Sequence, residues 1–309
     1  MSETIVLDSC PSCGCVGRRR LPTPGHWVSD GLRSSAEAEK WGLERCQECG
    51  LVFTNPRPSD TVLDAFYSAP GYKPHEAEGS QSRAAISYLL SRIDFYHPEL
   101  DSSGEFLDFG CGGGALLEEA ARLGWSVHGY DVSPQAIQAC QRKGLDVEGK
   151  LARVSSPMDA ILMCHCLEHV SDLGGTLTVV VRALKPDTGR LFVAVPNARS
   201  LRAIFSPPVL SRHAGVNERF SAFPIHLSYF SAQSLKQLLA SHGLECTAQE
   251  TYAFGIDSYF RAWDDAGSTE PGSAVVNKRR SSAIKRLIKS VFFGAGLGEN
   301  LLFIFRRCR

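Results

Sequence analysis

The sequence lacks net charge and an even number of cysteines, and each absence excludes a class of protein. Its 309 residues carry 33 Lys and Arg against 33 Asp and Glu, so the formal net charge is zero. A protein that grips a long phosphate backbone usually carries a basic excess, so the charge balance disfavours nucleic acid as a partner. The 11 cysteines, an odd number in a chain of this length, do not indicate a disulfide framework.

The sequence also lacks a secretory segment and a membrane span. The stretch MSETIVLDSCPSCG has neither a basic start nor an apolar run of signal-peptide length. Glu299 and Asn300 interrupt the longest apolar stretch, which is too short to cross a bilayer. We therefore expect a reduced, cytoplasmic setting without a transmembrane segment. Residues 281–293 predict a basic amphipathic helix, which either lies on a membrane surface or packs on the sheet before the last strand.

Strand and helix patterns alternate from residue 104 onward. EFLDFG, WSVHGYD, DAILMCHC and RLFVAVPN are typical of buried strands, and helical patterns lie between them. This alternation predicts an α/β fold with a parallel sheet and helices on both faces. Ligands of such doubly wound sheets bind beyond the carboxyl ends of the strands. We divide the chain into a cysteine-rich module at 1–58, a helical linker region at 59–103 and an α/β domain at 104–309.

A glycine-rich turn follows the first strand of this domain. Gly110, Gly112 and Gly114 come directly after Asp108, and a bare backbone there lets main-chain N–H groups approach a ligand. Asp108 can take a cationic or hydroxyl group of that ligand, and Asp131, at the end of the next strand, is placed to accept both hydroxyls of a ribose. Dinucleotide-binding dehydrogenases begin similarly, and the glycines could instead serve only tight helix–strand packing.

Four segments together resemble the class I S-adenosylmethionine-dependent methyltransferases: DFGCGGG, GYDVS, MDAILMCHCLEHVSD and LKPDTGRLFVAVPN. The resemblance covers residues 104–255, with a final strand at 299–307. It implies a Rossmann-like, seven-stranded, doubly wound sheet with S-adenosylmethionine as the cofactor. It also implies that the three glycines border the methionine and ribose of the cofactor and that Cys164 and His165 line its pocket. LDVEGKLARVSSP has no clear match to the acid that contacts adenine in this family.

Two C-x-x-C pairs lie in the N-terminal module. Cys10 and Cys13 form the first, Cys46 and Cys49 form the second, and glycine follows each pair. Four thiolates at this spacing suit a closed, structural zinc site, so we predict a zinc-ribbon-like module. The alternatives are unmetallated buried thiols or a redox pair, although neither pair opens a helix after a strand. A two-knuckle module followed by CGLVFTNPRPSDTVLDAFY also resembles the layout of bacterial sugar C-methyltransferases that act on nucleotide-linked deoxysugars.

Methyl transfer to a hydroxyl or a carbon acid needs an aligned acceptor and a group that removes its proton. His226, in FPIHLSYFS, lies at the predicted rim of the sheet, and we name it as the catalytic candidate. It would act either as the base or as a residue that orients the pocket wall. His169, with Glu168 beside it in LEHV, is the second candidate, for which we favour a hydrogen bond that shapes the loop. The long segments at 197–224 and 256–280 are where we expect substrate choice.

We therefore expect an enzyme that methylates a small-molecule acceptor, such as an oxygen or carbon of a sugar or nucleotide-sugar. Two alternatives stay open. An RNA methyltransferase whose zinc module holds nucleic acid would bind RNA with a steep salt dependence. A scaffold with the methyltransferase fold would transfer nothing. The sequence names neither the acceptor nor the oligomeric state.

Overall fold

The computed structural model of the chain describes residues 3–21, 32, 40–72, 80–100, 103–154, 157–200, 222–252 and 295–308. The predicted basic helix at 281–293 and the predicted long segment at 256–280 lie outside these ranges, as does most of the segment at 197–224. None of the helices in the described ranges has the length and apolar character that crossing a membrane requires.

A β-rich N-terminal part, two helices and a larger α/β part follow one another along the chain. The first two comprise β1 (Thr4–Ile5), β2 (Arg18–Leu21), β3 (Leu43–Cys46), β4 (Val52–Thr54), β5 (Arg57–Pro58), α1 (Asp60–Ser68) and α2 (Ser80–Tyr96). The α/β part comprises β6 (Glu105–Phe109), α3 (Ala115–Arg122), β7 (Ser126–Tyr130), α4 (Pro134–Arg142), β8 (Val147–Glu148), β9 (Ala160–Cys164), α5 (Leu173–Ala183), β10 (Arg190–Pro196), β11 (Ser228–Tyr229), α6 (Ala232–Ala240), β12 (Leu244–Tyr252) and β13 (Asn300–Arg307). Short 3-10 helices at Leu151–Arg153 and Leu167–His169 flank β9.

The large sheet has seven strands in the order β12-β13-β10-β9-β6-β7-β8. Strands β6 to β10 pair in parallel, whereas β13 runs antiparallel to both of its neighbours. The chain winds outward from β6 to β8 and then returns to β9 on the other side of β6. This order confirms the predicted Rossmann-like, doubly wound sheet. The direction of winding reverses between β6 and β9, and the carboxyl ends of these two strands are where such a sheet binds its ligand.

Helices α4, α5 and α6 begin at polar caps that position the loops before them. The Ser133 side chain accepts a hydrogen bond from the main chain of Ala136 at the start of α4, and Asp172 caps α5 through Gly175. Ser231 and Ser234 form a reciprocal capping box at the start of α6. These caps fix where each strand-to-helix connection ends, and the connections carry the candidate site residues.

Alternating side chains of the central strands fill two apolar layers. Phe106 and Leu162 belong to the cluster on one side of the sheet, and Leu107 and Ile161 belong to the cluster on the other. The cluster that contains Leu107 and Ile161 also contains Phe53 of β4, which is fully buried. The N-terminal module therefore packs against one face of the α/β part.

The N-terminal sheet is completed by a strand from the α/β part. Its strand order is β11-β4-β3-β2, and β11 pairs antiparallel with β4. At the end of β4, the main-chain N–H of Thr54 donates to the Leu227 carbonyl at 3.0 Å, and its side-chain hydroxyl donates to the His226 carbonyl at 2.8 Å. The N-terminal module thus holds the segment that carries His226. The proposed domain boundaries at residues 58 and 103 remain predictions.

Candidate functional site

The glycine turn after β6 has a backbone that only glycine adopts without strain. Gly110, Gly112 and Gly114 have φ angles of 85°, 51° and 80°. A Cβ atom at Gly110 would lie 2.7 Å from Cys166 Sγ, and one at Gly114 would lie 2.7 Å from Leu145 Cδ1. Close packing therefore contributes to the need for glycine at these two positions. This agrees with the alternative that the glycines serve tight packing between helix and strand. The turn leads directly into α3, whose N-cap, Gly114, has no side chain.

Asp131 is tied to this turn by main-chain hydrogen bonds. Its Oδ2 accepts from the Gly112 N–H at 2.8 Å, and its Oδ1 accepts from the Ser133 N–H at 2.9 Å. Burial raises the pKa of this carboxyl group, and these N–H groups lower it in part. Each carboxylate oxygen has a second lone pair, so the group can still accept hydroxyl hydrogens from a ligand.

Asp108 lies deeper, on β6, with 3% of its surface exposed. Burial raises the pKa of Asp108 to about 8, with further contributions from the nearby Asp131 and Cys140. The group is therefore mostly protonated at neutral pH, and a cationic ligand beside it would favour the ionised form.

Cys164 and His165 lie at the carboxyl end of β9, beside the turn. Cys164 is partly buried, and burial raises the pKa of its thiol. His165 has a φ of 50°, which is uncommon outside glycine, and its main-chain N–H donates to the Ala194 carbonyl at 2.8 Å. Its exposed ring places Nδ1 3.4 Å from Glu168 Oε1. The structure thus brings both residues to the edge of the sheet that carries Asp108 and Asp131.

Glu168, His169 and His226 gather beside this edge. A carboxylate oxygen of Glu168 and one nitrogen of each ring all lie within 4.8 Å of one another. The ring centroids of His169 and His226 are 4.6 Å apart, with the planes at 78°. Glu168 is 1% exposed, and neither of its carboxylate oxygens has a hydrogen-bond partner among the described residues. We refer to these three residues as the Glu-His-His cluster.

The charge states in the Glu-His-His cluster follow from burial and from mutual proximity. Burial lowers the pKa of His226 to about 3, and His169 lowers it further, whereas Glu168 opposes the shift. Burial also lowers the pKa of His169. Burial alone would raise the pKa of Glu168, but contact with His165 and the charges that His169 and His226 carry when protonated hold it below its ordinary value. At neutral pH the cluster therefore consists of one carboxylate and two neutral imidazoles.

Tyr67 on α1 is a site residue that the sequence analysis missed. Its hydroxyl lies 3.1 Å from His169 Nδ1, and its ring centroid is 5.4 Å from that of Tyr72. Burial raises the pKa of both tyrosines, and the Asp131 carboxylate contributes to both shifts. The end of the linker helix α1 therefore lies near both Asp131 and the Glu-His-His cluster. The only signal in the sequence was the aromatic pair at the end of TVLDAFY.

The four predicted zinc ligands come together in the N-terminal module. The Sγ atoms of Cys10 and Cys49 are 3.6 Å apart, those of Cys13 and Cys46 are 3.5 Å apart, and all four lie within 4.8 Å of one another. Zn–S bonds of about 2.3 Å in a tetrahedron put the sulfurs about 3.8 Å apart, so the donor set fits zinc. A hydrogen bond from Cys10 and another from the Leu51 N–H lower the pKa of Cys49 to about 5.

Comparisons with known proteins bear on the α/β part. A family described as "Methyltransferase domain" matches residues 81–249 of the 309. The ubiquinone biosynthesis O-methyltransferase of Xylella fastidiosa (strain 9a5c) is 37% identical over 166 residues, which cover 49% of this chain and 64% of that protein. The enzyme of the same name from Caulobacter vibrioides is 39% identical over 109 residues, 32% of this chain and 42% of that protein. The chain thus matches less than two thirds of each relative's length.

Solved structures with a similar chain course have lower sequence identity. A SAM dependent methyltransferase from Archaeoglobus fulgidus is 18% identical, with a TM-score of 0.48 over 75% of this chain and 96% of that one. A S-adenosylmethionine dependent methyltransferase from Mesorhizobium loti is 16% identical, with a TM-score of 0.45 over 75% of this chain and 100% of that one.

Proposed function

The chain belongs to the methyltransferase-domain family, and from that premise we propose that it transfers a methyl group from S-adenosylmethionine to a small-molecule acceptor. One observation carries the proposal beyond family membership. At the point where the sheet reverses its winding, the Asp131 carboxylate is hydrogen-bonded to the main chain of the glycine turn at Gly112. An acid and a bare backbone are thereby held together where a nucleoside ligand of such a sheet binds.

We assign the cofactor to the crevice above β6 and β9. Asp131 would accept the two ribose hydroxyls, and Gly110, Gly112 and Gly114 would border the methionine and ribose. Asp108 would face the cationic amino group of the methionine part, whose charge compensates a buried carboxylate. Cys164 and His165 would line the pocket on the β9 side, as their positions at the strand end support.

The acceptor would lie next to the Glu-His-His cluster. In the reaction the C–S bond of the sulfonium would break as the bond from the methyl carbon to the acceptor forms, and a hydroxyl acceptor would pass its proton to His226. The products are the methylated acceptor and S-adenosylhomocysteine. We propose His226 as the catalytic residue at the acceptor, because its neutral, buried ring can accept a hydrogen bond from a hydroxyl.

Oxygen is the acceptor atom that the curated relatives favour, since their names describe O-methyltransferases. The layout of the cysteine module before the α/β part supports a sugar or nucleotide-sugar as the acceptor. We therefore propose O-methylation of a small hydroxyl compound, with sugar derivatives as the first candidates.

We propose that Cys10, Cys13, Cys46 and Cys49 hold a structural zinc ion. With four protein ligands the site is closed, so the ion would stabilise the fold and take no part in the chemistry. Its contribution to the active site would be indirect, since β4 follows Cys49 and ends at Thr54, whose hydroxyl donates to the His226 carbonyl.

A transfer assay with S-adenosylmethionine labelled in its methyl group tests the proposal. The acceptor panel should contain nucleotide-sugars, free sugars and phenols, with RNA as a comparison. We expect label in a small molecule and no salt-dependent RNA binding; label in RNA alone would favour the RNA methyltransferase alternative. Cofactor binding without transfer to any acceptor, including a small-molecule extract, would favour the scaffold alternative.

The His226→Ala variant tests the catalytic assignment. We expect it to bind the cofactor normally and to lose turnover by about 10²-fold or more, the range for loss of a proton-accepting group. His242→Ala is the matched control, because the hydrogen bonds that the structure describes for that ring go to Leu238 and Ser241, at the end of its own helix. Turnover of His226→Ala equal to that of the control would remove His226 from the mechanism.

A further inference from the structure

Glu168 is a buried carboxyl group whose ionised form is favoured by nearby histidines. The side chain is 1% exposed, and neither oxygen accepts a hydrogen bond from the residues that the structure describes. A buried carboxylate without hydrogen bonds is costly, so such groups are normally paired with a cation or bound to a metal. His165 Nδ1, 3.4 Å from Glu168 Oε1, is the ion-pair contact that the structure gives. Within the described ranges, the charged or chargeable groups that favour its ionised form are histidines alone: His165, His169 and His226.

Two of these histidines are arranged as ligands around the carboxylate. Their rings are nearly perpendicular, with centroids 4.6 Å apart, and a nitrogen from each lies within 4.8 Å of the other and of a Glu168 oxygen. Ligand atoms lie about 2.0–2.2 Å from an ion such as zinc, and hence about 3–4 Å from one another.

The surroundings also orient the ligand groups. A hydrogen bond from the His169 ring to the Ile225 carbonyl uses one ring nitrogen, and metal-binding histidines typically donate their second N–H in this way. The Tyr67 hydroxyl lies 3.1 Å from His169 Nδ1, so it would also lie near an ion bound to the His169 ring. The Thr54 hydroxyl fixes the main chain of His226 from the opposite side.

We propose that Glu168, His169 and His226 bind a divalent transition-metal ion, separate from the ion at the four cysteines. Two imidazoles and one carboxylate are a donor set for zinc, iron(II) and manganese(II), and three protein ligands leave coordination positions open. The site lies at the acceptor side of the crevice, so an open position can take the acceptor's hydroxyl oxygen. A bound ion would lower the pKa of that hydroxyl, and His226 would then hold the ion instead of accepting the proton, which would pass to solvent.

The metal site itself is independent of the reaction, but its role in catalysis rests on the proposed function. Mn²⁺ is a suitable probe, because thiolate sites prefer softer ions and its free and bound forms differ in electron paramagnetic resonance. The experiment titrates the full chain with MnCl₂ after dialysis against a chelator, with the cysteine-bound ion counted separately by metal analysis. We expect about one Mn²⁺ per chain.

Two variants locate the ion, and a third serves as control. Glu168→Gln keeps the shape of the side chain and removes its charge, and His226→Ala removes a second ligand; we expect each to weaken Mn²⁺ binding at least about 10-fold. Glu105→Gln is the matched control, since Glu105 also faces a histidine, at 2.6 Å from His128 Nε2, but lies outside the cluster. Circular dichroism and retention of the cysteine-bound ion show whether each variant is folded.

The wild-type titration can overturn the site without any variant. Binding of no Mn²⁺, Zn²⁺ or Fe²⁺ beyond the cysteine-bound ion at millimolar concentration contradicts the proposal, as does equal binding by folded Glu168→Gln. Unchanged methyl transfer by chelator-treated protein would remove the ion from the reaction and leave the proposed function intact. Failure to bind S-adenosylmethionine would refute the proposed function and leave the metal titration unaffected.

Discussion

Replacing Thr54 with Val tests whether the N-terminal module holds the acceptor side of the site. Thr54 is fully buried, and its hydroxyl donates to the His226 carbonyl at 2.8 Å across the junction of the module and the α/β part. Valine has nearly the same shape, so the substitution removes this hydrogen bond without opening a cavity. The N–H of residue 54 can still donate to the Leu227 carbonyl, so β11 and β4 remain paired.

The expected loss follows from leaving a buried carbonyl unsatisfied. Such a change costs about 1–3 kcal/mol, so the free energy of unfolding in urea should fall by that amount. Thr178→Val is the matched control: its hydroxyl donates to the Gly174 carbonyl at 2.8 Å, but on an exposed face of α5. Solvent replaces the lost bond there, and we expect a change within about 0.5 kcal/mol.

Turnover gives the second readout. Because the bond anchors the main chain of His226, Thr54→Val should lower kcat while leaving the affinity for S-adenosylmethionine unchanged. Equal stability of Thr54→Val and Thr178→Val, together with wild-type turnover, would refute the idea that the module positions His226.

Three further substitutions test the cofactor side. Asp131→Ala should weaken S-adenosylmethionine binding about 10²-fold or more, since two hydrogen bonds to a charged group are each worth about 1.5–3 kcal/mol. Calorimetry measures the affinity, and Asp146→Ala, at an exposed acid on the loop before β8, is the control. Gly110→Ala should destabilise the fold by more than Gly144→Ala, although both positions have positive φ. The added Cβ would lie 2.7 Å from Cys166 Sγ at position 110, whereas nothing lies within 4 Å of it at position 144. Overpacking of this kind costs about 1–3 kcal/mol. Equal urea midpoints for these two variants would contradict the packing. Finally, the raised pKa of Asp108 implies that the cofactor-free protein loses stability as the pH rises from the ordinary carboxyl value of 3.8 to about 8, because the folded state holds this proton more tightly than the unfolded state. The unfolding free energy of Asp108→Asn should lack this decline, and parallel pH profiles of the two proteins would show that Asp108 is not its source.

The periodic parts of the fold were predictable from the sequence. EFLDFG, DAILMCHC and RLFVAVPN are apolar runs of strand length, and the helices between them carry their own caps, such as Ser133 with Pro134. Local chemistry decides these elements, so the sheet class follows from their alternation. Strand β8, at Val147–Glu148, is only two residues long and has no periodicity by which to detect it.

Contacts between distant segments were not predictable from local patterns. Ser228 pairs with Phe53, although 175 positions separate them, and neither segment has a composition that specifies the other. The same holds for the contact of His169 with His226, because sequence position alone does not show which loops meet at a sheet edge. His169 was recognised as the second candidate, with Glu168 beside it, but the convergence of both on His226 and the approach of Tyr67 required the structure.

A structure of the protein with S-adenosylhomocysteine tests the central claim most directly. The account predicts the ribose hydroxyls within hydrogen-bond distance of the Asp131 carboxylate, the nucleoside above the turn at Gly110–Gly114, and the sulfur directed toward Glu168, His169 and His226. A crevice that stays empty at saturating ligand, or a ligand bound elsewhere on the chain, would contradict it.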